Sequence, residues 1–473
     1  GSSRVLPFYD IAPLQGLRNR AGSRLSLSHA EGLRWPSDFT AVASELLAPG
    51  LTGEYFNNPN LEGSPVLTRI DPTLDFSWVG AHPDSSLPRE NYSVRWSGKY
   101  HAQAAGTHEI AVRSDDGVRL YFDGRLLVDD WTAHAPTNNW ARVELEAGRD
   151  YDLRIEYFEA TGGGEIRLGI SPDPIAQEKA DREKALQLAQ SNDAVLLFVG
   201  FDETVESEGI DRKSMNLPEG QDQLIWDIAK INRNTIVVIN GGGSVLMPWL
   251  AEVAAVVQAW YPGQEGGHAI ADLLLGRENF SAKLPVSFYA REEDTSSYGN
   301  YPGAEGEVHY REGIFVGYRH LDRKGIAPLF PFGHGLSYTQ FQFSDLKIKA
   351  KNNTTAAADI EVEVRLTNIG KRIGTEVVQV YVHAESPRVE RPQQELKGFA
   401  RVELRPGESR RVKIKLNSES FAYYDVEAQA WRVDPNLFEL RVGGSSHDLP
   451  LHKNIKLEGA SAVLAAPRWG ESK

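Results

Sequence analysis

The feature that most restricts the fold is an alternation, between residues 176 and 275, of short apolar runs with longer amphipathic stretches. The apolar runs predict strands at Ala194–Val199, Thr235–Ile239 and Val253–Ala259. The amphipathic stretches predict helices at Ala176–Gln190, Glu219–Asn232, Met247–Glu252 and His268–Leu275. Strands that are apolar on both faces and alternate with helices are typical of a parallel sheet covered on both sides. This part of the chain is therefore predicted to be an α/β sandwich with a mainly parallel sheet.

Two other regions show the period-two alternation of antiparallel β structure. In residues 51–172, aromatic-rich runs lie between Gly, Asp and Asn turns, and the pairs Asp116-Gly117 and Asp123-Gly124 indicate hairpins. The alternation returns from Phe341 onwards after a long loop at Tyr289–Gly317. The first region predicts a β-sandwich or barrel, and the second predicts a small β-sandwich of immunoglobulin or fibronectin type.

The order of these regions predicts a multidomain chain, α/β plus all-β, with one domain inserted into another. Residues 1–48 contain a short helix at about 12–20 and a strand near Arg24–His29, which are too small to bury a core alone. Residues 1–48 are therefore predicted to belong to the α/β sandwich, with the β module inserted after them at an exposed loop, since such loops tolerate insertions. The predicted units are 1–48 and 174–338 for the α/β sandwich, 51–172 for the inserted β-sandwich, 341–458 for the fibronectin-like domain, and 459–473 for a tail.

The composition excludes several classes of partner. With a formal net charge of −14, the chain repels nucleic acid phosphates and anionic membranes. It has no cysteine, so neither a disulfide framework nor a thiolate metal site is expected. The start Gly1-Ser2-Ser3, with no initiator Met or signal segment, indicates a cut or processed end. The cellular compartment, periplasmic, secreted or cytoplasmic, stays open.

The segment Phe201–Arg212 is the strongest candidate site because it directly follows the predicted strand Ala194–Val199. Ligands of open α/β sheets bind at the carboxyl ends of strands. If the segment is extended, Glu206 and Glu208 lie on one face, and one of the two carboxyls is expected to have a raised pKa. A protonated carboxyl can act as a general acid. The alternative is a solvated acidic loop in an acidic protein.

Other motifs have weaker functional interpretations. Asp115-Asp116-Gly117 and Asp129-Asp130 have the oxygen-rich character of calcium ligands, but plain hairpin turns are the alternative. The sequence Gly241-Gly242-Gly243-Ser244 resembles a phosphate-binding loop but lacks the Lys and the full spacing, so a tight strand-to-helix turn explains it better.

Three aromatic residues of the inserted region have two interpretations. They can stack on sugar rings or belong to the core, and they are Trp96, Tyr121 and Trp131.

Many spaced motifs occur in the order found in glycoside hydrolase family 3, which this chain resembles over nearly its whole length. They are Glu206-Ser207-Glu208-Gly209-Ile210-Asp211-Arg212, Val245-Leu246-Met247-Pro248-Trp249, Trp260-Tyr261-Pro262-Gly263-Gln264-Glu265-Gly266-Gly267, Lys283-Leu284-Pro285, Gly317-Tyr318-Arg319, Pro331-Phe332-Gly333-His334-Gly335, and Glu395-Leu396-Lys397-Gly398-Phe399. The start Gly1–Val5 is similar to the turn that opens the family's second domain. The segment Arg113–Tyr121 looks like part of the protective-antigen-type β-sandwich of some members, and the last domain is similar to the family's fibronectin type III domain.

The resemblance implies a retaining β-glycosidase, most often a β-glucosidase acting on small β-glucosides or oligosaccharides. The family takes its nucleophilic Asp and most sugar-binding residues from a preceding barrel domain, which this sequence does not contain. The resemblance assigns the general acid/base to Glu208, with Glu206 as the runner-up because the loop varies in length. It implies no metal or organic cofactor, and it implies that the inserted module shapes the pocket for the leaving group.

Three hypotheses for the chain follow. It completes an active site together with the missing barrel and is then inactive alone, it is a carbohydrate-binding or scaffold fragment, or it is a structural remnant. The expected partners are a carbohydrate and the barrel of the same enzyme, and homo-oligomer formation is left open. The identity of the sugar depends mainly on the barrel and is not predicted.

Overall fold

The computed structural model describes residues 7–33, 39–78, 80–172, 174–202, 205–208 and 211–464. The start Gly1–Val5, most of the predicted tail and four residues of the candidate loop, Glu203, Thr204, Gly209 and Ile210, lie outside this part.

After a first helix, α1 (Pro13–Ala21), the chain enters a β-sandwich of ten strands. They are β1 (Leu51–Phe56), β2 (Leu67–Asp71), β3 (Asp75–Ser77), β4 (Tyr92–His101), β5 (Gly106–Asp115), β6 (Val118–Phe122), β7 (Arg125–Asp130), β8 (Thr137–Leu145), β9 (Asp150–Glu159) and β10 (Glu165–Pro172). A six-stranded sheet, β2-β1-β4-β9-β6-β7, faces a four-stranded sheet, β3-β10-β5-β8. All neighbouring strands are antiparallel, as the alternation predicts.

Large aromatic side chains fill the space between these two sheets. Trp96, Tyr55, Tyr92 and Tyr157 have no exposed surface. Their polar atoms need partners inside the core. The Trp96 Nε1 and the Tyr55 hydroxyl both donate to Oδ2 of Asp71, at 2.8 and 2.5 Å. The sandwich therefore has a self-contained core.

The segment just before β1 packs on this sandwich. The Val42 amide donates to the carbonyl of Leu168 at 2.9 Å, and Ala41 forms an isolated bridge with Gly169. Val42 and Leu47 belong to the aromatic-rich core. The predicted domain limits stay a prediction, and these contacts favour a boundary before residue 48.

The α/β unit follows. Its elements are α2 (Pro174–Ser191), β11 (Val195–Gly200), α3 (Gln221–Ile231), β12 (Thr235–Asn240), β13 (Ala255–Gln258), α4 (Gly266–Leu274) and α5 (Tyr318–Lys324). The sheet β11-β12-β13 is parallel throughout, which confirms the prediction of a parallel sheet. Helix α1 packs closely on α4, since a Cβ on Gly16 would lie 2.1 Å from the carbonyl oxygen of Gly267.

Two sequence predictions in this unit are wrong. Arg24–His29 is not a strand, because Gly22–Arg24 forms a 3-10 turn and the residues that follow pair with no described strand. Instead, Ser26–Gly32 and β11 line a mostly apolar cavity of about 390 Å³. The predicted helix at Met247–Glu252 is only a 3-10 turn at Leu250–Glu252.

The last region contains ten further strands around a second core. They are β14 (Phe341–Asn352), β15 (Asp359–Asn368), β16 (Gly374–Ala384), β17 (Glu395–Leu404), β18 (Ser409–Asn417), β19 (Tyr423–Asp425), β20 (Ala430–Val433), β21 (Asn436–Gly443), β22 (Leu451–Leu457) and β23 (Ala462–Leu464). The main sheets are β14-β15-β18 and β17-β16-β21-β22, with a small sheet β19-β20-β23. The core between them is mainly aliphatic, with the rings of Phe421 and Phe438 in edge-to-face contact. The fold class, α/β plus two all-β regions, is confirmed.

A search of the described helices finds none with both the length and the apolar character of a membrane span.

Candidate active site

The candidate loop begins where β11 ends, and this end of the strand is fixed by tight packing. Gly200 has φ 145°, and a Cβ there would lie 1.8 Å from the carbonyl oxygen of Asn240, so only glycine fits. The amide of Gly200 donates to the Gln221 side chain at 2.8 Å, which joins β11 to the start of α3. The loop therefore leaves the sheet from a rigid point.

The loop begins with a turn from Asp202 to Glu206. The Glu206 amide donates to the carbonyl of Asp202 at 3.0 Å, and the Val205 amide does so at 3.2 Å. An extended segment can therefore begin only at Glu206, and that Glu206 and Glu208 share a face stays a prediction.

The Glu206 carboxylate is bound by three groups of this chain. Its Oε2 accepts hydrogen bonds from the Gly242 amide, at 2.8 Å, and from the Tyr261 hydroxyl. Its Oε1 lies 3.7 Å from Nε of Arg212. All three are groups that donate to a carboxylate or form an ion pair with it. The Glu206 side chain is 21% exposed, so it is mostly covered by its partners.

These partners come from the carboxyl ends of neighbouring strands. Glu206 follows β11, Gly242 follows β12 and Tyr261 follows β13. In parallel sheets these ends lie along one edge. The glycine-rich turn at Gly241–Ser244, which the sequence favours as a tight turn over a phosphate loop, donates the Gly242 amide to the carboxylate of Glu206.

Arg212 connects the loop with the same turn. Its Nη2 donates to the carbonyl of Ser244 at 2.9 Å, and its guanidinium lies over the ring of Phe201, 4.7 Å from the centroid. The guanidinium is 18% exposed. Burial, followed by the hydrogen bond to Glu206, raises the pKa of the Tyr261 hydroxyl. Tyr261 therefore remains a donor at neutral pH.

Glu208 differs from Glu206 because its side chain is exposed. On its other side along the chain, Asp211 accepts a hydrogen bond of 2.6 Å from the hydroxyl of Tyr301, which lies in the long loop after residue 288. This contact raises the pKa of Tyr301. Along the chain, Glu208 thus lies between Glu206 and Asp211, and each of these two side chains accepts a hydrogen bond from a tyrosine of another part of the fold.

The acidic turns of the sandwich are occupied by protein contacts. The Asp116 carboxylate is 3% exposed and accepts hydrogen bonds from the amides of His134, Ala160 and Thr161, at 3.0, 2.6 and 3.3 Å. Asp130 contacts His134 and Thr132. In the described ranges, no group of three or more His, Cys, Asp or Glu side chains has the arrangement of a metal site.

The three aromatic candidates for sugar stacking have protein groups against their rings. Trp96 is core, as its alternative interpretation states. Trp131 packs beside Phe158, and the guanidinium of Arg119 lies 4.4 Å from its ring centroid. The ring of Tyr121 is covered in the same way by Arg154, at 3.8 Å.

Tyr261 and Tyr301 were not recognised from the sequence as candidate site residues. Tyr261 was included only as part of a family motif, and Tyr301 lies in a stretch predicted to be a loop. Their partners are 55 and 90 residues away in the sequence, so no local pattern connects them. The one available signal for Tyr261 is its position just after a buried strand.

Comparisons with known proteins agree with this architecture. Residues 1–318 match the family model described as Glycosyl hydrolase family 3 C-terminal domain, and residues 376–446 match a Fibronectin type III-like domain. The chain belongs to glycoside hydrolase family 3. Within that family, it corresponds to the C-terminal domain together with a fibronectin type III-like domain.

The relatives are named as β-glucosidases. The chain is 36% identical over 475 residues to the beta-glucosidase of Rhizobium radiobacter, covering 97% of this chain and 57% of that protein. It is 40% identical over 314 residues to the thermostable beta-glucosidase B of Acetivibrio thermocellus, covering 65% of this chain and 41% of that protein. The chain thus spans little more than half the length of the first of these relatives.

Solved structures show the same similarity. The beta-glucosidase from Kluyveromyces marxianus in complex with glucose superimposes with a TM-score of 0.78 at 29% identity, covering 98% of this chain and 58% of that one. The beta-glucosidase DesR from Streptomyces venezuelae, in complex with D-glucose, gives 0.69 at 31% identity, with 97% and 54% covered. Both similarities extend through the inserted sandwich, because they cover nearly the whole chain.

Proposed function

We propose that this chain supplies the general acid/base of a retaining β-glucosidase that releases terminal β-linked glucose from small glucosides or oligosaccharides. The nucleophilic Asp and most sugar-binding groups are assigned to a barrel domain outside this sequence. Glucose as the sugar is supported by the two similar structures solved with it. The chain alone is then expected to be inactive.

The observation that carries the proposal is the exposure of Glu208 on the loop that follows β11. A general acid must reach the substrate oxygen with its own proton. Glu206 has both carboxylate oxygens engaged within the chain. Glu208 is exposed at the carboxyl-terminal edge of the sheet, where a neighbouring domain can cover it. Covering by that domain would raise the pKa of the Glu208 carboxyl, as an acid working near neutral pH requires.

The reaction has two steps in this proposal. Protonated Glu208 donates its proton to the glycosidic oxygen while the Asp of the barrel attacks the anomeric carbon. The Glu208 carboxylate then takes a proton from a water molecule that releases the sugar from the Asp. Retention requires the two carboxyl groups to lie about 5–5.5 Å apart. No metal or organic cofactor takes part.

The test is Glu208→Ala in the full-length enzyme. Removal of the acid is expected to lower the rate for a poor leaving group, such as an alkyl glucoside, by about 10²–10⁴-fold. Formation of the glycosyl-enzyme from a dinitrophenyl glucoside needs no acid and is expected to persist. Azide is expected to restore turnover of that substrate and to yield a β-glucosyl azide.

Glu206→Gln is the matched control, because it changes the neighbouring carboxylate on the same loop. Gln keeps an oxygen that can accept from Tyr261 and Gly242, so this variant is expected to lose much less activity on the poor leaving group than Glu208→Ala does. Equal losses for both substrates in Glu208→Ala would contradict the assignment, and azide rescue in a Glu206 variant would transfer the role to Glu206. Absence of glycosidase activity in the full-length protein would favour the carbohydrate-binding or scaffold alternative.

A further inference from the structure

We propose that Tyr261 and Tyr301 are positioning residues that hold Glu208 in its working geometry by fixing the loop on both sides of it. This inference rests on the role proposed for Glu208. Neither tyrosine needs to touch the substrate. Each acts through an acidic residue of the loop, Tyr261 through Glu206 and Tyr301 through Asp211.

The first contact precedes Glu208 by two residues. The Tyr261 hydroxyl donates to Oε2 of Glu206, which also accepts from the Gly242 amide. Tyr261 lies three residues after the end of β13, which pairs with the central strand β12. The contact therefore ties the loop to the sheet.

The second contact follows Glu208 by three residues. The Tyr301 hydroxyl donates to Oδ2 of Asp211 at 2.6 Å, a distance typical of a hydrogen bond to a charged acceptor. Tyr301 belongs to the long loop between residue 288 and α5, which is far from the sheet in sequence. The loop with Glu208 is thus held from two independent elements.

The backbone hydrogen bonds described within the loop are local, and its side-chain contacts with Gly242 and Ser244 reach only the glycine-rich turn. The amides of Val205 and Glu206 bond to the carbonyl of Asp202, which lies in the same loop. Bonds inside a loop fix its shape but not its position relative to the sheet. Proton transfer requires the acid to lie within hydrogen-bond reach of the substrate oxygen, so a displacement of about 1 Å lowers the rate strongly.

The two tyrosines are suited to a test by single-atom changes. Each is 54% exposed, so replacement by Phe removes a hydroxyl without opening a cavity in the core. Tyr310→Phe is a matched control, because Tyr310 lies in the same loop as Tyr301 and is 81% exposed. All variants are made in the full-length enzyme.

For a poor leaving group, Tyr261→Phe and Tyr301→Phe are each expected to lower kcat about tenfold, the effect of losing one hydrogen bond to a charged group. KM is expected to change by less than about twofold, because the groups that bind the sugar are untouched. The rate of glycosyl-enzyme formation from a dinitrophenyl glucoside and the thermal midpoint are expected to stay the same. Tyr310→Phe is expected to match the wild type for both substrates.

A loss of equal size for both leaving groups, or no loss, would overturn the positioning role. A rise in KM with kcat unchanged would instead identify the rings as sugar contacts and would overturn it too. The Glu208→Ala result distinguishes a failure of this inference from a failure of the proposed function. If Glu208→Ala shows the dependence on the leaving group and the tyrosine variants do not, only this inference fails. If Glu208→Ala does not show it, the proposed function fails.

Discussion

The carboxyl groups of the inserted sandwich and those of the candidate loop have opposite surroundings. In the sandwich, burial raises the pKa of Glu159 to about 7, and burial together with Asp116 raises the pKa of Asp115 to about 6. On the candidate loop, Glu206 has an arginine, a tyrosine hydroxyl and a backbone amide around its carboxylate. Burial in the sandwich thus disfavours the charged form of these two carboxyls, whereas the loop surrounds its carboxylate with hydrogen-bond donors and a cation.

This difference shows that a displaced pKa does not by itself mark a catalytic residue. Perturbed carboxyls cluster at functional sites, but structural networks perturb them as well. Glu159 is fully buried and accepts hydrogen bonds from the Tyr157 hydroxyl and the Gly163 amide, so its role is to fix the loop after β9. Position at the edge of the parallel sheet is the better guide to the site in this chain.

The largest expected effect in the sandwich is that of Asp116→Ala. The change removes the acceptor of three backbone amides and places Ala at φ 64°, so we expect the free energy of unfolding to fall by roughly 4 kcal/mol. Urea denaturation followed by near-UV circular dichroism measures it. Asp116→Asn keeps an acceptor and tolerates this backbone angle, so it is the milder control. A loss below about 1 kcal/mol for Ala would show that the turn does not depend on this carboxylate.

A smaller effect is expected for Glu159→Gln, and it depends on pH. The folded pKa of about 7 lies above the ordinary value of 4.5, so the unfolded chain releases this proton first as the pH rises. This contribution to stability is therefore present below pH 4.5 and lost as the pH rises through 7, by roughly 3 kcal/mol for this group. Gln cannot ionise, and the variant is expected to be more stable than the wild type at pH 8 and similar to it near pH 4.5. Unfolding curves of both proteins at the two pH values test this expectation. If the stability of the wild type changes with pH in the same way as that of the variant, the raised pKa of Glu159 is contradicted.

The smallest effect is expected for Glu206→Gln, the corresponding change on the loop. It leaves the guanidinium of Arg212 without its carboxylate, and we expect a loss of about 1 kcal/mol because the pair is partly exposed to solvent. The sign is opposite to that of Glu159→Gln at pH 8, which makes the pair of variants a direct test of the comparison. Thermal unfolding of both proteins in one buffer is sufficient. A Glu206→Gln variant more stable than the wild type would show that the ion pair with Arg212 does not stabilise the loop.

Most of the fold follows from sequence periodicity because each predicted strand and helix has a local pattern and a packing partner. One of the two exceptions, Arg24–His29, has the alternation of a strand but no described strand beside it, and alternation alone does not hold a strand in a sheet. The contacts of Glu206 with Gly242 and Tyr261 were not predictable, since these two residues reach the loop only after the sheet has formed. The turn from Asp202 to Glu206 was not predicted either, because no local pattern marks the hydrogen bond of the Glu206 amide to Asp202.

The cavity between β11 and Ser26–Gly32 has a practical consequence. In the described part of the chain, β11 pairs with β12 on one side only, and its apolar residues Val195–Phe198 are only half-buried. An apolar strand edge of this kind is a template on which another polypeptide can add a strand. Solutions of the isolated polypeptide are therefore expected to become turbid as they are concentrated, and a charged residue on that edge is the first remedy to try.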